Sequence, residues 1–357
     1  MDVSSLPWRL LIVEGKMGEL SGRQGTILKV VVGEYIASGV PVPSEILARR
    51  YSLGVSPATI RNDMALLEEQ GYIVRPYASA GGVPSDLGYR YYVGSLLNEG
   101  RISQRERRSI QRYFGQAEGE PDEWAHLAVS LLTERLRSIA LATPPRAAVC
   151  HFRRLEVVTL QESLVLLVLV LQEGQIRQHL VVLDEAASGD ELAAMAAKLS
   201  EAYWGLDHPG ITSRALDLHL SATEARITGL VVGMMEAEDG RQYERYYMDG
   251  WRYLLGNVNA IGGQRMLRLA EALEDRTVLT RLLGRLGSGG QLRITIGGEN
   301  GDEALEGCSV ILSGYGARGR RGVIGVIGPT RMPYSRAIPM IEYVSAVMSE
   351  MVERVYS

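Results

Sequence analysis

Two glycine-punctuated helical segments stand almost back to back, PSEILARRY (43–51) and SPATIRNDMALLEEQG (56–71), and they leave little choice of local fold. Ser56 can cap a helix by accepting from an orphan backbone N–H of the first turn, and Pro57 takes the first helical position, where its missing N–H costs nothing. Ile60, Met64 and Leu67 recur at i, i+4 and i+7, so one face is buried, and Gly71 stops the helix. In the shorter segment Ile46 and Leu47 point inward. Leu53-Gly54-Val55 makes the tight turn between the two. Helix, short glycine turn, helix is the helix-turn-helix unit. Upstream, Ile27, Val30, Val31 and Tyr35 predict a further helix over Thr26–Ser38. Downstream, YIVRPY and the loop SAGGVPSDLG predict a β-hairpin. Three helices and a hairpin make a winged helix, expected within residues 1–98.

In that arrangement the second helix of the motif enters the DNA major groove and its N-terminal residues reach base edges. Ser56, Thr59, Arg61 and Asn62 have the chemistry: arginine pairs with guanine and asparagine with adenine. Arg49 and Arg50 are placed to hold phosphates and set the register. Ser44, Arg75 and Ser79 complete the candidate DNA-binding set. Charge leaves a second reading open, because winged helices also dock proteins. From Arg23 to Arg90 there are seven basic and six acidic residues, a nearly neutral balance rather than a basic footprint. The whole chain, 357 residues with a net charge of -4, is not built to be coated with nucleic acid.

Beyond the winged helix, RISQRERRSIQR (101–112) reads as a charged helical connector. Strand patterns follow: AAVCHF, LEVVTL, LVLLVLVL and IRQHLVVL. The run Leu164–Leu171 is too short to span a bilayer and reads as a central strand. From Ser188 the pattern turns helical, ending near Leu286. Within it, YERYYMDGWRYLL is expected to turn between two strands at Asp249-Gly250. Strands return as LRITIG, CSVILS and GVIGVIG, and a last helix is predicted over Ile338–Tyr356. Strands, helices, then strands predict an αβ domain interrupted by a mainly helical insertion. The N-terminus lacks a secretion pattern, and two lone cysteines, Cys150 and Cys308, fit a reducing cytoplasm.

Taken together, LSGRQGTILKVVVGEYIASGVPVPSEILARRYSLGVSPATIRNDMALLEEQGYI, the wing SAGGVPSDLGYRYYV and the string GVIGVIGPTRMPYSRAI (322–338) resemble the HrcA family of bacterial heat-inducible transcription repressors. The resemblance runs nearly the length of the chain. It implies an α+β multidomain protein: a winged helix (1–98), a GAF-like αβ domain in two parts (99–186 and 288–357), and an inserted dimerising domain (187–287) with a small antiparallel sheet. It implies a homodimer that represses heat-shock chaperone operons at an inverted-repeat operator and is released on heat stress, with the chaperonin GroEL maintaining its active form. Where the family's wing carries a basic residue, a threonine and a lysine, this chain has Gly82, Ser85 and Leu87. If those basic residues grip phosphate, two contacts are gone, and the salt dependence of binding flattens by about one unit of slope for each.

Leu230, Val231, Val232, Met234 and Met235 form an apolar block in the insertion; Leu230, Val231, Met234 and Met235 are the expected dimer surface, the alternative being ordinary core. GYGARG (314–319) fits a dinucleotide fingerprint, but RRGVIGVIG after it reads as a strand where a helix is required, so a strand–strand turn is expected. GEN-GDE (298–303) is acidic without calcium-loop spacing. The five histidines show no metal spacing. Nothing nominates a nucleophile or a catalytic carboxylate pair, so no enzyme, cofactor or metal is expected. Arg331 either ties the αβ domain to the winged helix or a partner, or serves as a cap or salt bridge. The competing function is a winged-helix regulator that senses a small molecule in a GAF-like pocket.

Overall fold

The computed structural model describes residues 20–77, 80–96, 102–117, 120–147, 149–161, 163–184, 187–240, 245–255, 263–284, 286 and 292–356. It opens with α1 (Gly22–Ser38), α2 (Ser44–Arg50) and α3 (Pro57–Glu69). The first helix begins four residues before the predicted Thr26 because of a capping box: Ser21 Oγ accepts from the Gln24 N–H at 3.3 Å, and Gln24 Oε1 accepts from the Ser21 N–H at 3.0 Å. Ile27, Val31, Leu47, Ile60 and Leu67 are fully buried between the three helices. Arg23 on the first turn of α1 forks onto the buried Asp63 of α3 at 2.7 and 3.1 Å. This pairing fixes the crossing of the two helices.

The hairpin is short: β1 (Ile73–Val74) pairs antiparallel with β2 (Val83–Pro84). Its returning arm also bridges to the chain before α2, through Val42 and Gly82 exchanging two hydrogen bonds of 2.9 Å. A Cβ on Gly81 would lie 2.4 Å from the Val42 backbone, so only glycine allows this approach. DLGYRYYV, which the sequence reading groups with the wing, is instead α4 (Asp86–Leu96). Ser85 starts it, accepting from the Gly88 N–H at 3.2 Å, and Tyr89 and Val93 bury one face at i and i+4.

The chain continues through α5 (Gln104–Phe114), α6 (Pro121–Leu136) and β3 (Ile139–Ala142). Arg146–Glu244 then forms a second compact unit. It holds β4 (Arg146–Ala147), β5 (Phe152–Thr159), β6 (Leu164–Leu171), β7 (Ile176–Val182), α7 (Gly189–Tyr203), α8 (His208–Leu216) and α9 (Ala222–Gly240). The first unit resumes with β8 (Tyr247–Asp249), α10 (Trp251–Leu255), α11 (Gly263–Glu274), α12 (Arg276–Gly284), β9 (Leu292–Ile296), two 3-10 turns (Gly297–Asn300 and Glu303–Leu305), β10 (Cys308–Ala317), β11 (Arg320–Pro329) and α13 (Tyr334–Val355).

In the first unit the strands run antiparallel in the order β8-β3-β11-β10-β9. Trp124, Ala128 and Leu132 of α6 and Ile341, Val344 and Met348 of α13 share one buried cluster with Ile294, Ile311, Ile324 and Val326 of the sheet. GYGARG is a hairpin turn, with Arg318 and Gly319 linking β10 to β11. In the second unit β5-β6-β7 make a separate antiparallel sheet. Val165, Leu167, Leu169 and Leu171 of its central strand pack with Leu199 and Tyr203 of α7 and Ile227 of α9.

Three expectations differ from the structure. Strands 152–182 do not join the C-terminal strands in one sheet. Strands joined by short links pair with their sequence neighbours, which closes each group on itself. At Asp249-Gly250 a strand is followed by a helix, because Gly250 (φ +107°) turns the chain against the Ser138 carbonyl. The last helix starts at Tyr334, with Pro339 inside it. The carbonyl that Pro339 leaves unpaired is that of Ser335, an exposed residue in the first turn.

Candidate nucleic-acid interface

The N-terminal end of α3 stands on a filled core. Ser56 Oγ accepts from the Thr59 N–H at 3.2 Å and lies 2.9 Å from Thr59 Oγ1. Both hydroxyls are therefore engaged in the cap, and Thr59 is half-buried. Arg61 and Asn62 are exposed on the same end. Arg61 is held by Glu45 of α2, with Nη2 to Oε1 at 2.8 Å. The Glu45 carboxyl is pulled below the usual carboxylate range, first by its own backbone N–H and then by the Arg61 hydrogen bond.

A cleft of about 330 Å³ opens between α2, α3 and the hairpin, lined by Ser44, Glu45, Arg61, Arg75 and Gly81. It gathers three of the expected DNA-binding residues at one place. Arg75 also pairs with Glu68 at 3.2 Å. On α2, Arg49 is exposed, while Arg50 reaches Glu34 at 3.2 Å. Glu34 also accepts from the Tyr51 hydroxyl at 2.5 Å, which raises the tyrosine pKa. Ser79 lies outside the described residues.

The wing positions that depart from the resembling pattern carry structural work. A Cβ on Gly82 would press on Ile73 and Met64 at 3.0 Å. Ser85 Oγ donates to the Gly71 carbonyl at 2.6 Å while it caps α4. Leu87 packs against the core.

The expected dimer block is divided by burial. Val231 and Met235 are 1% and 0% exposed, in the buried cluster that includes the central strand of the three-stranded sheet. Leu230 and Met234 are half-buried beside them. The exposed apolar surface lies on the other side of that sheet. Val158, Ile176, Leu180 and Val182 are 46 to 58% exposed. They sit in register with Leu166, Val170 and Leu164 of the central strand. The period of two along LVLLVLVL contains this information, but an unbroken apolar run does not say that one of its faces stays uncovered.

Sequence reasoning missed one ion pair that seats the winged helix. Arg90 of α4, 5% exposed, donates to both carboxylate oxygens of Glu299 and to the Ile294 carbonyl, the latter at 2.8 Å. Asp86 accepts from the Gly298 N–H at 2.9 Å. The acidic loop GEN-GDE thus receives the winged helix. Its Asn300 side chain faces the carbonyls of Gly297, Leu305 and Cys308 and holds the turn. Among the described residues no group of three or more His, Cys, Asp or Glu is arranged to hold a metal. No helix among them is long and apolar enough to cross a membrane.

Two families match. Residues 122–338 match the HrcA protein C terminal domain, and residues 50–85 match the DeoR-like helix-turn-helix domain. The heat-inducible transcription repressor HrcA of Roseiflexus castenholzii is 37% identical over 346 residues, covering 95% of this chain and 96% of its own. That of Chloroflexus aggregans is 35% identical over 360 residues, covering 95% of each. A crystal structure solved at 2.2 Å for a hypothetical protein has the same fold, with a TM-score of 0.58, 24% identity, and coverage of 94% of this chain and 98% of its own.

Proposed function

The chain belongs to the HrcA family of heat-inducible transcription repressors, and we propose that it represses chaperone operons as a homodimer on an inverted-repeat operator. The exposed Arg61 and Asn62 end of α3, standing on a buried three-helix core, is the observation that carries this reading. A two-fold operator calls for a two-fold protein, so two α3 helices enter successive major grooves. Arg61 and Asn62 read bases. Arg49, Arg50, Arg75, Ser44 and Ser79 hold the backbone, with Ser56 and Thr59 shaping the helix end and contacting phosphate.

The winged helix occupies residues 1–98, and the sheet with α6 and α13 is the GAF-like body. The inserted region dimerises, here through the apolar outer face of β5–β7. A second copy of that face, pairing about a two-fold axis, covers both at once. The repressor works in the cytoplasm, heat lowers the fraction of operator-competent dimer, and the chaperonin GroEL restores it. The competing ligand-sensing reading gains nothing from the helix-covered side of the sheet, which α6 and α13 fill.

The test is a mobility shift with an inverted-repeat duplex and a scrambled control, at growth and heat-shock temperatures, with and without chaperonin. Selective retention of the inverted repeat, lost on heating and recovered with chaperonin, is expected. Equal affinity for both duplexes removes the repressor assignment; unchanged occupancy in all four conditions removes the heat switch alone.

A further inference from the structure

Away from α3, a cleft of about 500 Å³ carries five arginines: Arg135, Arg137, Arg252, Arg331 and Arg336. They come from three places in the first unit. Arg135 and Arg137 stand at the end of α6, Arg252 on α10, and Arg331 and Arg336 around the start of α13. Ile36, Leu136 and Met332 supply an apolar floor, and Tyr253 a ring. Among the described residues only one of the five has a carboxylate within 4 Å, Arg336 with Glu106 at 3.7 Å. Arg135 Nη2 is held 3.1 Å from the Ser109 hydroxyl, a neutral partner.

Like charges at this density repel unless something compensates them, and each costs more as the site becomes concave. The backbone adds to the positive field. Pro333, at the N-cap of the 22-residue α13, lines the cleft and offers no side-chain cap. The positive end of that helix's dipole therefore faces the same space. Arg137 holds a left-handed backbone (φ 49°), a conformation that costs a non-glycine residue energy and is kept where the surroundings impose it. The cleft is also tied to the winged helix. Ile36 lies on α1, and the Arg331 guanidinium covers Gly39, the left-handed C-cap of α1 (φ 67°), where a Cβ would meet Nη1 at 2.3 Å.

We propose that this cleft binds a small polyphosphorylated anion, with the arginines forking onto its phosphate oxygens. Planar guanidinium groups match phosphate geometry two bonds at a time. The volume suits a ligand of nucleotide size. Because the walls include the end of α1 and the β11–α13 loop, an occupant bridges the winged helix and the sheet.

Isothermal titration of the full chain with inorganic tripolyphosphate tests this, with adenosine triphosphate as a second arm to show whether a base adds affinity. Saturable binding at one site per chain is expected. Arg252→Gln/Arg336→Gln, both at exposed positions, should bind about a hundredfold more weakly. Arg226→Gln, an exposed charge elsewhere, should leave binding unchanged. Circular dichroism melts check that each variant folds, and Arg137→Gln serves as a replacement should the double variant not fold. No binding at millimolar tripolyphosphate, or equal binding by wild type and the cleft variants, overturns the proposal. So does competition by a DNA duplex together with loss of duplex affinity in the cleft variants, which would make the cleft a nucleic-acid contact.

Discussion

At the residue scale the decisive pair is Arg61 and Glu45. Their bond is 2.8 Å long, but both side chains are more than half exposed, so solvent screening leaves it a weak contribution. A guanine edge offers a bidentate partner worth more than that. On the proposed reading Arg61 exchanges Glu45 for the base, and the glutamate acts as a rest position with the wrong charge for DNA. Arg61→Ala should cost about 1–3 kcal/mol at the specific site and little on random DNA, as read by competition mobility shifts; equal weakening on both contradicts base reading. Glu45→Gln should tighten binding to every duplex, because it removes a negative charge beside the phosphates and releases Arg61. Unchanged or weaker binding on random DNA would show that Glu45 positions Arg61 rather than restrains it. Much of this site is legible in the sequence, since Ser56, Pro57 and the Ile60 stripe announce the helix and its exposed end by local rules alone. That Glu45 faces Arg61 is not legible, because it depends on the crossing of α2 over α3.

Among the elements, local punctuation transmitted helices well and partners poorly. Caps and periodicity place α2 and α3 within a residue or two of their observed ends. The pairing of β5–β7 with one another rather than with β9–β11 follows from short links, a rule of connection that strand patterns do not display. The same ambiguity hid the difference between buried and exposed apolar residues in the second unit. An apolar block on α9 and the apolar residues of β7 look alike in sequence; burial separates them, with Met235 at 0% and Leu180 at 58% exposure. Two substitutions distinguish the roles. Met235→Ala opens a cavity in the second unit and should destabilise it by about 2–5 kcal/mol in urea unfolding, with the oligomeric state unchanged in sedimentation. Leu180→Lys places a charge on the exposed face and should yield folded monomers in sedimentation, with weakened operator binding and a native circular dichroism spectrum. A Leu180→Lys protein that remains dimeric excludes that face.

For the whole molecule, the joint that matters links residues 209 positions apart. Arg90 reads in sequence as one more surface charge in a helix, and Glu299 as part of an acidic loop. Folding buries the arginine and sets both carboxylate oxygens and the Ile294 carbonyl around it. Glu299 in turn accepts from the Ile296 N–H at 2.9 Å, which fixes the turn after β9. The winged helix is thereby seated on the αβ body, and on the proposed reading the aim of α3 at an operator depends on the stability of that body. Removing the carboxylate leaves a desolvated guanidinium without its counter-charge, the costly half of the exchange, whereas replacing both partners with apolar groups removes the penalty along with the bond. Glu299→Gln should therefore destabilise the chain by about 3 kcal/mol, and Arg90→Met/Glu299→Met by clearly less, both measured by urea unfolding. Operator affinity should order differently. Both variants lose the directional fork, so both should bind the inverted repeat more weakly than wild type even at temperatures where the double variant is fully folded. Wild-type operator affinity in a folded double variant would mean that the pair stabilises the joint without aiming the recognition helix.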